Sequence, residues 1–378
     1  ADELERRGAR VRAVDLPSDG GLNGPDDYIA RHGANAFFAL VDAAVPLDKA
    51  GTRGAKREKP KQQGREVQFE MPEAWPQPVD GSQLLDGFAD TCSRYVALPA
   101  HANIVLALWA LHTYLCNAFF ASPILAITSP QKRCGKTVLL IVLGAMVPRR
   151  MFAANVTPAV LFRIIEKYTP TLLIDEADTF VRDNDELRGV LNSGHTKSTA
   201  VVIRAVGEDH DPRAFSTWCP KAIALIGALP GTLEDRSIPI AMRRRTPNER
   251  VQRLRQDRIE SECAALRRQA VRWAEDHLQA LHDADPVVPN GLHDRAADCW
   301  RPLLAIADRV GGTWPARARE AAQALCASVA DDDASATLLA DIFTIFNEEG
   351  DPDFLGSAVI VERLVAMDER PWAEWSRG

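Results

Sequence analysis

The chain has 378 residues, enough for two or three domains around a large core, and a formal net charge of −7. That balance excludes a wholly basic nucleic-acid coat and leaves room for a local basic channel, because distribution matters more than the sum. Seven scattered cysteines with no C-x-x-C pair, and no histidines at ligand spacing, imply a reduced cytoplasmic protein without a zinc site.

The chain opens with a helix-like ADELERRGA, charged from its third residue and so unlike a signal peptide. A strand VRAVDL and a helix from about Asp26 to Ala44 follow. So few elements bury little core, and residues 1–48 read as the tail of a domain. Residues 49–80, rich in Lys, Arg, Gly, Gln and Pro, have linker composition. Their basic half, Arg53 to Arg65, reads as a solvated stretch with some capacity for nucleic acid. Residues 81–122 form a helical lead-in with a helix over Ala100 to Phe120. No Asp, Glu, Lys or Arg stands between Arg94 and Lys132, which raises the question of a membrane span. His112, Thr113, Asn117, Ser122 and Pro123 interrupt the run and no basic flank orients it, so a buried helix followed by a buried strand is the better account.

Residues 123–247 carry the chemistry. An apolar run, Pro123 to Thr128, leads through SPQKRCGKT into a helical run, Val138 to Met146. A phosphate-binding loop needs that strand–loop–helix setting, since amides and a helix N-terminus must point at the phosphates. Arg133, Cys134, Gly135, Lys136 and Thr137 would supply the cradle for ATP. Lys136 would reach the β- and γ-phosphates, and Thr137 would hold Mg²⁺. Pro130 replaces the usual first glycine, so the amides must come from the later residues. TLLIDEAD, Thr171 to Asp178, is an apolar strand ending in acids: Asp175 for the metal shell, Glu176 for the general base. Alone, each run is a chance GKT or a solvated strand end. In this order and spacing they point to an ATPase.

The elements around them alternate. MFAANV (151–156) reads as a strand, Thr157-Pro158 as an N-cap with proline at the first helical position, Ala159 to Tyr168 and Asn184 to Asn192 as helices. TAVVIRAV (199–206) and RAFSTW (213–218) around GEDHDP form a hairpin, and KAIALIG (221–227) and SIPIAM (237–242) two further strands. The class is α/β, a P-loop NTPase core with a parallel sheet. In ALPGTLEDRS, Arg236 reads as a finger that reaches the γ-phosphate of a neighbouring copy; the alternative is a structural Asp235–Arg236 pair. Arg243 to Arg245, with Arg250, Arg253, Arg255 and Arg258, make an arginine-rich strand-to-helix junction, either phosphate-binding or merely solvated. His195 reads as structural. Residues 248–330 form a helical domain, with helices through His282, Asp294 to Val310 and Ala316 to Val329. DDDAS at 331–335 marks a boundary, and residues 331–378 begin a small helical domain, a winged helix being one option, cut short at Gly378.

SPQKRCGKT, PTLLIDEAD, ELRGVLNSGH, PKAIALIGALPGTLEDRSIPIAMRRR and RAADCWRPLLAIAD resemble an uncharacterised family of bacterial, phage and plasmid P-loop ATPases. That family is a domain of unknown function that often follows a Toprim primase-type domain. The resemblance spans about Gly81 to Gly378, and VRAVDLPSDGGLNGPDDYIARHG resembles the tail of a Toprim region. The acidic Toprim motifs would lie upstream, so primase activity is not implied for this chain. The family core is similar to AAA+ helicases of the superfamily 3 and MCM kind. That implies a homo-oligomer, such as a hexamer, whose hairpin grips single-stranded or forked DNA. Thr199 to Trp218 occupies the hairpin slot, with Lys197, Arg204, His210 and Arg213 as the DNA contacts, although its tip is acidic. Gly227 and Ala228 stand where a polar sensor of the γ-phosphate is usual. The resulting expectation is a Mg²⁺-dependent ATPase acting on DNA, the helicase part of a mobile-element or phage primase–helicase. Its rivals are an ATP-switched assembly or defence module without unwinding activity, and a non-hydrolysing nucleotide-binding scaffold.

Overall fold

A computed structural model of the chain describes residues 12–14, 16, 24–46, 68–69, 71–153, 156–179, 181, 184–207, 209–367 and 372. The chain divides into two units, residues 1–68 and 69–378. In the first, a short antiparallel pair, β1 (Arg12–Ala13) with β2 (Val45–Pro46), brackets α1 (Pro25–His32) and α2 (Ala34–Asp42). The single helix expected over Asp26 to Ala44 is two helices, because Gly33 at φ 84° turns the chain between them. The helix read at the first nine residues and the basic run Arg53 to Arg65 lie outside the described residues.

In the second unit α3 (Gly81–Tyr95) precedes the charge-free run, which resolves into α4 (Ala102–Leu115) and a strand, β3 (Ile124–Ser129). Asp80 caps α3 by accepting from the amides of Ser82 and Gln83 at 2.8 and 3.2 Å. Helix α4 is uncharged, mostly apolar and buried on nearly all sides, and Trp109 donates its indole N–H to the carbonyl of Pro123 at 3.1 Å. Among the described residues no helix is long and apolar enough to cross a membrane.

Five parallel strands follow the order β4 (Arg150–Ala153), β5 (Thr171–Ile174), β8 (Lys221–Ile226), β3, β9 (Ser237–Ala241). Each central strand is apolar on both faces because helices cover both. Leu125 and Ile127 of β3, with Ala222 and Ala224 of β8, face a core built on α3, α4 and α5 (Lys136–Met146). Ile124 and Ala126, with Ile223 and Leu225, face a second core under α6 (Pro158–Tyr168) and α7 (Asp185–Ser193). Each buried leucine or isoleucine among them contributes about 1.5–3 kcal/mol relative to exposure, and each alanine less. The first core continues into α10 (Ala264–His282), α11 (Asp294–Val310) and the start of α12 (Trp314–Glu348), where Trp273, Trp300 and Trp314 are buried.

The hairpin forms as read: β6 (Val201–Val206) pairs antiparallel with β7 (Asp211–Ser216), with Arg204 opposite Arg213. Helix α6 starts at Pro158, but the Thr157 hydroxyl makes no capping bond, so only proline's fixed φ sets that start. Helix α7 is capped instead by Asn184, which accepts from the Leu187 amide at 2.9 Å. Two expectations fail. Residues 248–258 are not helical; the chain reaches the short α9 (Ile259–Glu262) through irregular backbone. DDDAS does not interrupt the chain either, for α12 runs unbroken across it and is followed by α13 (Ser357–Val365).

Below the hairpin, Gly194 sits where a Cβ would lie 2.1 Å from the Thr217 carbonyl oxygen and 2.5 Å from the Lys221 ammonium. The ammonium is buried and donates to the carbonyls of Gly194 and Cys219 at 2.9 and 2.8 Å. Gly194→Ala must therefore separate backbone from backbone or strand a buried cation. A loss of about 3 kcal/mol or more is expected in urea unfolding; a change below about 0.5 kcal/mol would mean the turn relaxes freely.

Candidate active site

The loop after β3 is built from side chains that bond its own backbone. Ser129 Oγ donates to the Gln131 carbonyl at 2.8 Å, and the Cys134 thiol donates to the same carbonyl at 3.2 Å. Pro130 is accommodated because this knot, rather than a glycine, makes the first bend. Arg133 at φ 68° and Gly135 at φ 87° then take left-handed conformations on either side of Cys134. Such reversals turn successive amides toward a common point, a concavity suited to anions. Helix α5 starts immediately, at Lys136, so its N-terminal amides and dipole face the same space. The Lys136 ammonium folds back and donates to Ser129 Oγ at 2.6 Å.

Two acids approach from β5. Asp175 Oδ2 accepts from Thr137 Oγ1 at 2.7 Å, and Asp175 Oδ1 accepts from the Glu176 amide at 2.9 Å. Glu176 itself stands at φ 53°, a conformation that costs a side-chain-bearing residue energy and gathers at functional sites. Asp178 Oδ1 takes the Ile226 amide at 3.1 Å, and the Gly227 amide donates to the Ser129 carbonyl at 2.9 Å. The carboxyl ends of β3, β5 and β8 are thus fastened together, with Gly227 of the expected sensor position against Ser129. Ligands in open parallel sheets bind at that end. A hydroxyl and a carboxylate held together suit a hard cation such as Mg²⁺, which keeps most of its water and takes few protein oxygens. Arg133, Cys134, Gly135, Lys136, Thr137, Asp175 and Glu176 are therefore brought to one place.

Arg236 is not there. It precedes Ser237, which pairs with Ile124, and its carbonyl accepts from the Ile124 amide at 3.1 Å. The loop leaves the other end of β3, five residues on, which is roughly 16 Å at about 3.3 Å per residue. Arg236 Nη1 donates to the Thr232 carbonyl at 2.6 Å, while Thr232 Oγ1 accepts from Asn192 Nδ2 at 3.1 Å. Asp235 lies 3.9 Å from Arg295. The Asn192–Thr232 bond, like buried Lys221, escapes sequence reading because its ends lie on different elements and carry no motif.

His195 is buried beside this loop, with Nε2 3.4 Å from Cys299 Sγ and Nδ1 3.1 Å from Thr196 Oγ1. Burial first, then the charges of Arg236, Lys221 and Arg295, lower its pKa to about 4. His112, buried on α4 against Phe119, is pushed down to about 3 by burial. Both are neutral when folded and titrate near 6.5 when unfolded, so the unfolded chain binds more protons between those values. Stability is thus full above about pH 6.5 and falls as pH drops toward 4. Urea unfolding at pH 7 and 4.5 checks this, and His195→Gln is expected to flatten the slope.

Of the expected DNA contacts, Lys197 donates to the Asn117 carbonyl at 2.8 Å. Arg204 pairs with Glu186 at 2.7 Å and lies 5.4 Å from the Phe162 ring centre. His210, at φ 54° in the turn, and Arg213 are exposed. Two of the four, Lys197 and Arg204, therefore already have partners within the chain. A cleft of about 660 Å³ lined by Phe119, Phe120, Lys197, Leu281 and Pro302 does not include the β3 loop. Strand-end geometry, not cavity size, marks the site.

Residues 241–378 match the family described as "Protein of unknown function (DUF3631)", so the expected likeness to such a domain is found there. Over 139 residues the chain is 37% identical to an uncharacterized 28.9 kDa protein in the xis 5′ region of Saccharopolyspora erythraea. That stretch is 36% of this chain and 51% of the relative, so the chain spans about half the relative's length. Among solved structures it is similar to a full-length MCM homolog from Methanopyrus kandleri, with 14% identity and a TM-score of 0.40, over 68% of this chain and 63% of that one. It is similar to an inhibitor-bound JCV helicase at 11% identity and a TM-score of 0.29, over 53% and 58% of the two chains. The apo C-terminal region of NrS-1 gives 13% identity and a TM-score of 0.34, over 81% and 64%.

Proposed function

We propose that this chain is a Mg²⁺-dependent ATPase that acts on single-stranded or forked DNA, the helicase part of a mobile-element or phage primase–helicase. It works in the cytoplasm as a homo-oligomer, a hexamer being one option. One observation carries the reading: Thr137 and Asp175, 38 residues apart in sequence, meet at 2.7 Å where α5 begins beside Lys136. A chance GKT and a chance acidic strand end have no reason to meet.

Bound Mg²⁺ would neutralise charge on the phosphate oxygens. Thr137 and Asp175 would hold it. The amides of Arg133 to Thr137 would orient the phosphates, and Lys136 would leave Ser129 for the β- and γ-phosphate oxygens. Glu176, fixed at the strand end by Asp175, would accept the proton of the attacking water. Arg236 cannot span the sheet to its own loop, so it would serve the site of a neighbouring copy.

A second reading, an ATP-switched assembly that does not unwind DNA, is favoured by Lys197 and Arg204, whose charged groups already have partners within the chain. Turnover of ATP with and without single-stranded DNA decides between them. Stimulation supports the helicase reading, and turnover indifferent to DNA supports the switch. Absence of any Glu176-dependent turnover would leave only a binding scaffold.

A further inference from the structure

The chain leaves β9 through residues 243–258, RRRTPNERVQRLRQDR, of which seven are arginine and two are acidic. Both acids are engaged. Glu249 receives Arg243 at 2.8 and 2.5 Å and the Thr246 amide at 2.7 Å. Asp257 receives Arg255 through two bonds of 3.2 Å, with Arg258 4.0 Å away. Arg244, Arg245, Arg250 and Arg253 are exposed and, among the described residues, have no carboxylate partner.

The backbone beneath them is nevertheless fixed. The Met242 amide donates to the Thr128 carbonyl at 2.7 Å, and the Gln252 amide to the Arg94 carbonyl at 2.8 Å. Leu254 packs half-buried against the main core. Four guanidinium groups thus lie on an ordered path without a counter-charge among the described residues, in a chain whose net charge is −7. A guanidinium is planar, always charged and matched to paired phosphate oxygens. A single nucleotide is already served by the β3 loop and Lys136, and four cations in series exceed its need. The path starts beside that loop, since β9 pairs with β3 and Met242 would lie 3.8 Å from a Cβ on Gly135.

We propose that residues 243–253 are a docking track for the phosphate backbone of nucleic acid, with Arg244, Arg245, Arg250 and Arg253 as its contacts. This deepens the DNA-acting reading, and it moves the contact from the hairpin to the mouth of the nucleotide site. Bound there, a strand lies against the segment that closes the ATP loop, so occupancy and hydrolysis share structure.

The test uses the full chain and fluorescence anisotropy with labelled single-stranded DNA, duplex DNA and single-stranded RNA of one length. The variant R244Q/R245Q/R250Q/R253Q is expected to bind at least about tenfold more weakly, with a salt slope shallower by up to about 3 on single strands. The corresponding four-lysine variant is expected to keep most of the slope, and Arg213→Gln to change little. A glutamine variant that binds as the wild type does, or a wild type with no salt-dependent affinity for any of the three, overturns the track. So does a glutamine variant that loses ATP affinity while keeping nucleic acid, since the arginines would then serve the nucleotide. Thermal unfolding of each variant excludes misfolding. ATP turnover without nucleic acid is measured on the same samples; its absence would overturn the ATPase reading and leave the track's outcome standing.

Discussion

Lys136→Ala is expected to reduce ATP affinity by about a hundredfold or more while leaving the fold intact. The ammonium stands at the first position of α5 and is held over the loop by Ser129 Oγ, at 2.6 Å. Its transfer to phosphate exchanges one neutral acceptor for charged ones. Charge-assisted hydrogen bonds contribute about 1.5–3 kcal/mol each, so losing one or two of them gives the stated factor. Alanine is a strong helix former at that position and adds no strain. Calorimetric titration of the full chain with Mg²⁺–ATP reads the affinity, and thermal unfolding reads the fold. Unchanged affinity with an intact fold would remove the phosphate-loop assignment. Glu176→Gln supplies the contrast, since the amide keeps shape but cannot take a proton. Binding should persist while turnover falls about 10²- to 10⁴-fold.

The parts of the site that sequence displayed are those made by short-range pattern. KAIALI and ILAITS are mostly apolar and buried at all but one position each, as strands covered on both faces must be. GKT follows one strand and DEAD ends another, so local order alone put their residues in one reading. The strand order is another matter. β8 lies between β5 and β3 although the hairpin intervenes in the chain, and no local signal encodes that. Residues 248–258 misled because Arg, Gln and Glu favour helices. Pro247, the Arg243–Glu249 brace and the Gln252–Arg94 main-chain bond outweigh that preference. The aspartates at 331–333 resembled a break, yet helix-forming Ala and Leu on both sides carry α12 through. Lys197 and Arg204 read as free cations because their partners, Asn117 and Glu186, lie 80 and 18 residues away. Exposure of a charge is a tertiary property, and composition does not reveal it.

Arg236 carries the sharpest expected result. Arg236→Ala alone should bind ATP normally and hydrolyse it about 10³-fold or more slowly, the effect of losing a finger that stabilises transition-state charge. Mixed with Glu176→Gln protein, it should regain part of the activity. Some interfaces then pair an intact Glu176 from one copy with an intact Arg236 from the next. The geometry leaves no route within one copy, because Arg236 and the β3 loop lie at opposite ends of the sheet. The loop is also restrained: α8 (Gly231–Glu234) precedes it, Asn192 holds Thr232, and Arg236 rests on the Thr232 carbonyl. A neighbour's nucleotide must draw the guanidinium from that carbonyl, so Arg236→Lys, which lacks the planar fork, should rescue little. Loss of the Arg236 charge should also raise the pKa of His195, which NMR titration can follow in the resting protein. That shift would show the residue's charge is felt at its own loop whether or not copies assemble. If the mixed sample recovers nothing while both proteins still associate with ATP, the shared site is wrong. Arg236 would then be a brace for the Thr232 turn, and its alanine variant should lose stability in place of turnover.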